Sequence, residues 1–192
     1  MKKVLLLLAE GFEFYEASVF IDVMGWNLLE GDQNTTLHTC ALRKEILSTF
    51  NQKLIVDYLI KDINVANYDA LAIPGGFEPY GFYKDAYHSA FSEIIQSFYN
   101  ENKPIASICT GAFPIAKSGI LKGKEGTTYH LNPVRHAELK ELGVLVKNQP
   151  IVVSDHIITS WNPSTAMDVA FLLLEKLTDK DNVKKVKRLM GF

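Results

Sequence analysis

Four short, largely apolar runs, Val4 to Leu8, Leu37 to Leu42, Ala70 to Ile73 and Ile105 to Ile108, constrain most strongly how this chain can fold. They are continuous rather than alternating, and a strand without a polar face must be covered on both sides. Segments with helical spacing separate them. Phe91, Ile94, Ile95 and Phe98 fall at i, i+3, i+4 and i+7, and Tyr15, Val19, Val23 and Met24 nearly repeat the pattern, so both sets are expected to face a sheet. Doubly buried strands alternating with helices predict an α/β fold with a mostly parallel sheet.

Two excursions interrupt the alternation. Ile46 to Ser48 and Leu54 to Val56 flank Asn51-Gln52 and predict a small antiparallel pair. Ile151 to Val153 and Ile157 to Ser160 flank Ser154-Asp155-His156 and predict a hairpin. Asn162-Pro163-Ser164 then supplies a cap and an early proline for a helix that points Ala166, Val169, Ala170, Leu173 and Leu177 inward. A last helix over Asn182 to Met190 ends at Gly191. With no repeat, low-complexity stretch or linker in 192 residues, residues 1–192 are expected to form a single domain.

Charge and cysteine usage narrow the function classes. Twenty Lys and Arg against 22 Asp and Glu leave a formal charge of −2, without the basic footprint that nucleic-acid binding needs. The one basic run, Lys184-Lys185-Val186-Lys187-Arg188, reads as the solvated face of a terminal helix. Two cysteines in dissimilar settings do not build a disulfide framework, which fits a reducing cytoplasm. Val4 to Ala9 follows two lysines but runs into Glu10, Glu13 and Glu16 instead of a small-residue cleavage site, so it reads as a first buried strand. No stretch approaches the roughly 18 apolar residues of a membrane span, and a soluble protein is expected.

Cys109 is the foremost chemical candidate. The apolar run Ile105 to Ile108 leads straight into it and the small residues Thr110-Gly111-Ala112 leave it, which predicts a sharp strand-to-helix turn, a nucleophile elbow. Such a turn lifts the side chain out of the sheet edge and aims the following N–H groups where an oxyanion would form. The positive end of the new helix is expected to favour thiolate over thiol. One strand earlier, Pro74-Gly75-Gly76 removes side chains from the same carboxyl edge, so that Gly75 and Gly76, with Thr110, can approach a substrate through their backbones. Beyond the first strand stand Glu10, Glu13 and Glu16. The helix dipole accounts for Glu13, whereas Glu16 is deep enough to be aimed at Cys109, where desolvation would raise its pKa and make it a proton donor.

Of five histidines, His130 is the best partner for a thiol, because it follows the strand-like Gly126-Thr127-Thr128-Tyr129 expected beside the elbow. His38, His88 and His156 fall in a strand, a helix and a hairpin turn, and His136 lies within the helix expected over Pro133 to Leu142. Cys40 reads as a small buried hydrophobe. No C-x-x-C pair, metal-ligand spacing, Walker loop or Gly-x-Gly-x-x-Gly fingerprint is present, so neither metal nor nucleotide cofactor is implied.

Glu16 within Glu10 to Met24, Pro74-Gly75-Gly76, and Ala106-Ser107-Ile108-Cys109-Thr110-Gly111 together resemble the ThiJ/PfpI superfamily, and the similarity continues through Ile158 to Ala166. The resemblance implies a flavodoxin-like three-layer sandwich of the class I glutamine amidotransferase-like kind, commonly a homodimer, with an oxidisable low-pKa cysteine beside a protonated glutamate. It implies a cofactor-independent glyoxalase, deglycase, hydrolase or protease activity, or a redox-sensing or chaperone role. Three departures limit it. Thr110 stands where protease-type members place a histidine after the nucleophile, Tyr129 follows Thr127-Thr128 where deglycase-like members carry His, and Trp161-Asn162-Pro163 replaces an Arg-Gly-Pro that would hold a small anion.

Two functional expectations follow. In the first, Cys109 attacks a small carbonyl or amide compound, Gly76 and Thr110 N–H groups steady the oxyanion, and Glu16 with His130 moves protons. In the second, Cys109 senses peroxide as a sulfinate. A glutamine amidotransferase is less favoured, since His136-Ala137-Glu138 lies inside a helix and not at a late strand end.

Overall fold

A computed structural model describes all 192 residues. The elements run β1 (Lys2–Leu7), α1 (Phe14–Glu30), β2 (Thr35–Ala41), β3 (Glu45–Leu47), β4 (Lys53–Ile55), β5 (Tyr58–Leu59), β6 (Ala70–Ile73), α2 (Phe82–Ala86), α3 (Ser89–Asn100) and β7 (Ile105–Ser107). There follow α4 (Ala112–Lys117), β8 (Glu125–Gly126), α5 (Pro133–Glu141), β9 (Leu145–Val146), β10 (Ile151–Ser154), β11 (Ile157–Ser160), α6 (Ala166–Leu177) and α7 (Lys180–Met190).

The central sheet has the order β10-β11-β7-β6-β1-β2-β5, and every pairing in it is parallel except β10 with β11. Its five main parallel strands, β2, β1, β6, β7 and β11, stand in the 2-1-3-4-5 sequence of a flavodoxin-like sheet, which puts the reversal of strand order between β1 and β6. The continuous apolar runs have the predicted cause. Within β1 and the residue after it, Val4, Leu6 and Leu8 enter one core while Leu5 and Leu7 enter the other. The first core receives Phe20, Val23 and Met24 of α1 together with α6 and α7, and the second receives Phe91, Ile94, Ile95 and Phe98 of α3 together with α2 and α4. A fully buried Leu or Phe contributes about 1.5–3 kcal/mol, so covering both faces is what holds three layers together.

Both excursions form antiparallel pairs, β3 with β4 and β10 with β11. Asn162 caps the turn that leads into α6, accepting from the Ser164 N–H at 3.1 Å. Two expectations need correction. Tyr15 is exposed because it precedes the stripe of α1 that meets the sheet. The segment expected to carry a strand from Gly126 to Tyr129 pairs only at Glu125 and Gly126, with β9 in a separate two-stranded sheet, and Thr127 to Tyr129 leaves strand geometry. No helix is long and apolar enough to cross a membrane.

Candidate active site

The reversal between β1 and β6 sends their following loops in different directions and opens a cleft at the carboxyl edge. Gly75 fastens the two loops: its carbonyl accepts the Glu13 N–H at 2.7 Å, and its own N–H donates to Glu16 Oε2 at 2.7 Å. A Cβ on Gly75 would lie 2.7 Å from Thr110 Oγ1 and 2.9 Å from Glu16 Oε2, so only glycine admits this contact. Below it, buried Asp85 accepts the Glu10 N–H at 2.9 Å and pairs with Arg43, which also binds Glu10, anchoring the loop after β1.

Cys109 takes φ +55°, a left-handed conformation for a residue with a Cβ, at the junction of β7 and the turn that opens α4. Such backbone costs on the order of 1–3 kcal/mol and persists only where neighbours over-determine it. Here the Ile108 N–H donates to the Ile73 carbonyl, and Thr128 Oγ1 donates to the Cys109 carbonyl at 2.9 Å. Gly111 closes the elbow where any Cβ would stand 2.5 Å from the Ile73 carbonyl oxygen.

Glu16, in the first turn of α1, is completely buried. Burial pushes its carboxyl up to about 8, against the pull of the Gly75 N–H, and the charge of Glu13 pushes the same way. Oε2 is held by Gly75, while Oε1 has no hydrogen-bond partner. Cys109 is coupled to this carboxyl: burial and a charged Glu16 push its thiol well above the ordinary range, and the Thr110 N–H and hydroxyl pull it down. The expected thiolate preference is therefore opposed by desolvation. A protonated Glu16 removes the repulsion, so near neutrality the pair carries at most one negative charge.

The cavity above them is about 420 Å³ and is lined by Glu13, Glu16, Gly76, Cys109, Thr110 and Tyr129, among others. The expected residues thus come together, with two exceptions. The Gly76 N–H donates to Thr110 Oγ1 at 2.8 Å, which leaves it unavailable to an oxyanion. His130 does not line the cavity; it stacks on Trp161 at 4.0 Å between ring centroids, with Nδ1 3.4 Å from Asn162 Nδ2. β8 ends at Gly126, and Tyr129, not His130, reaches the cavity. Three further residues meet the site: Thr128 on the elbow carbonyl, Glu13, which in the sequence is accounted for by the helix dipole alone, and Arg135 from α5. Of these, only Glu13 has a signal in the sequence, its proximity to Glu16.

A flavodoxin-like sheet with a strained cysteine elbow and a facing buried glutamate defines the class. The chain belongs to the DJ-1/PfpI family, whose model matches residues 2–176. An uncharacterized protein of Methanocaldococcus jannaschii is 31% identical over 138 residues, covering 72% of this chain and 65% of that protein. Drosophila melanogaster DJ-1alpha is 28% identical over 98% of this chain and 83% of its own. A Pyrococcus abyssi protein named as a deglycase is 27% identical over 84% of this chain and 90% of its own. The crystal structure of Drosophila DJ-1beta superposes with a TM-score of 0.86 at 23% identity, covering 98% of this chain and 97% of that one.

The Glu16 environment makes stability depend on pH. The folded protein keeps a proton that an unfolded Glu16 releases near 4.5, so rising pH between about 4.5 and 8 favours unfolding. The urea midpoint of the wild type is expected to fall across that window relative to Glu16→Gln, and parallel profiles would refute the buried, protonated carboxyl.

Proposed function

We propose that this chain is a cofactor-independent, cysteine-dependent enzyme acting on small carbonyl or amide compounds, of the glyoxalase, deglycase or hydrolase type. The observation that carries this reading is the coupling of Cys109 to a fully buried Glu16 with one unbonded oxygen, both opening on a cavity of about 420 Å³. Cys109 Sγ adds to the electrophilic carbon and the C=O electron pair moves to oxygen, the thiol proton passing to Glu16 as Glu16 delivers its own proton to that oxygen. The Thr110 N–H, which favours negative charge at Cys109, steadies the charge that develops on the oxygen. Collapse of an amide adduct passes the adduct hydroxyl proton to Glu16 and expels the amine with the proton Glu16 gives up, whereas a 2-oxoaldehyde adduct shifts a proton from the sulfur-bearing carbon to its neighbour. In both cases water then cleaves the resulting thioester and restores the Cys109 thiol. Gly75 and Gly76 position these groups, and His130 stands outside the proton path.

Consumption of a 2-oxoaldehyde and release of ammonia from small amides would assay the two substrate classes. Cys109→Ser is expected to abolish turnover and Glu16→Gln to lower it by about 10²–10⁴-fold, while His130→Ala retains most of it. Full turnover by Cys109→Ser would refute the reading.

The same geometry favours a second reading, a redox sensor, because protonated Glu16 and the Thr110 N–H are both donors available to a Cys109 sulfinate. Two equivalents of peroxide would supply the two oxygens. Intact mass after mild peroxide is expected to rise by two oxygen atoms in the wild type and not in Cys109→Ser; an unchanged wild-type mass excludes this role.

We also propose a homodimer in a reducing cytoplasm. Cys40 and Cys109 are unpaired thiols, and Ile21, Trp26 and Leu29 form an exposed apolar face on α1, with Leu29 71% exposed. Sedimentation is expected to give twice the chain mass, with Trp26→Asp shifting the protein to monomer; a monomeric wild type would refute the dimer.

A further inference from the structure

The charges around the cavity are not balanced. Arg135 is its one cationic lining residue, and both arms of its guanidinium are occupied, by Glu78 Oε2 and Glu138 Oε2 at 2.8 Å each. That group of three therefore carries a net negative charge and offers no free cation to an incoming anion. Glu13 lines the same cavity with a carboxylate that makes neither a hydrogen bond nor an ion pair. It occupies the N-cap position of α1, yet its side chain does not cap the helix. It lines one cavity with Glu16 and Cys109, its carboxylate repels charge on both, and burial raises its own pKa. A partly desolvated carboxylate without a partner is a group that a bound cation would satisfy. Acidic residues alone would not make a site. Here they line a cavity whose Glu16 is completely buried with Oε1 unpartnered.

We propose that this cavity selects carbonyl or amide compounds that carry a positively charged arm, an ammonium or guanidinium, and that Glu13 is the residue that pairs with it. The proposal rests on the reading of Cys109 as the reacting group and specifies what reaches it. With the arm on Glu13, the electrophilic carbon lies toward Cys109 and Glu16, while the walls formed by Tyr129 and Pro163 contribute no charge. Compounds bearing a carboxylate meet Glu13 and the Glu78–Arg135–Glu138 group and are repelled.

Alkylation of Cys109 tests this without requiring turnover. Rates with cationic 2-bromoethylamine, neutral iodoacetamide and anionic iodoacetate are measured at one pH and divided by the rates for free cysteine. In the wild type the normalised cation-to-anion ratio is expected to exceed one by about tenfold, the scale of one unit charge contact in a partly screened site. Added salt lowers the ratio, and Glu13→Gln brings it most of the way to one. A wild-type ratio of one, or an unchanged ratio in Glu13→Gln, overturns the proposal. Flat alkylation ratios with intact turnover would defeat the charge selection alone, whereas charge-selective alkylation without turnover of any carbonyl or amide would defeat the enzymatic reading alone.

Discussion

The backbone of Gly75 is the contact on which the site depends. Its carbonyl takes the Glu13 N–H and its N–H takes the Glu16 carboxyl, both at 2.7 Å, so one residue after β6 fixes the start of α1 after β1. The crowding around it, with Thr110 Oγ1 2.7 Å from where a Cβ would stand, draws the Cys109 elbow into the same knot. Gly76 adds a bridge to Phe12 and a reciprocal pair of hydrogen bonds with the Thr110 hydroxyl. Three loops from three adjacent strands are thereby held as one body, which lets the strained backbone of Cys109 persist.

That rigidity places two acids where they cannot both ionise cheaply. Complete burial keeps Glu16 protonated near neutrality, and the Gly75 N–H on Oε2 leaves Oε1 as the oxygen from which a proton can move. The thiol gains the Thr110 N–H but loses bulk water, so its charge state follows that of Glu16. Glu13 extends the same electrostatic setting outward, and Arg135 does not reverse it because its two carboxylate partners exceed its charge.

Tyr129 and His130 stand where local composition and tertiary pairing part. The run Gly126 to Tyr129 has strand-like composition, but strand formation requires a partner edge, and only Glu125 and Gly126 find one on β9. The chain then turns so that Tyr129 enters the cavity and His130 stacks on Trp161. The sequence alone leaves the Gly76 N–H a free donor because its partner across the cleft, Thr110 Oγ1, is 34 residues away. Glu13 stands at the N-cap of α1, where the helix dipole favours a carboxylate, and what the sequence does not show is that its side chain leaves the cap unmade and lines the cavity.

What the sequence determined by itself was whatever periodicity and local sterics encode. Continuous apolar strands specify a sheet covered on both faces, helical stripes supply the cover, and the apolar run Ile105 to Ile108 leading into Cys109 and the small residues Thr110-Gly111-Ala112 specifies an elbow. The tertiary structure decided the chemistry around that elbow: which N–H groups remain free, which carboxyl is desolvated, and which of two adjacent residues, Tyr129 or His130, turns inward. These properties arise from atoms brought within about 3 Å across long sequence separations. Hydrogen-bond directions and dielectric surroundings have no signature in a single segment of chain.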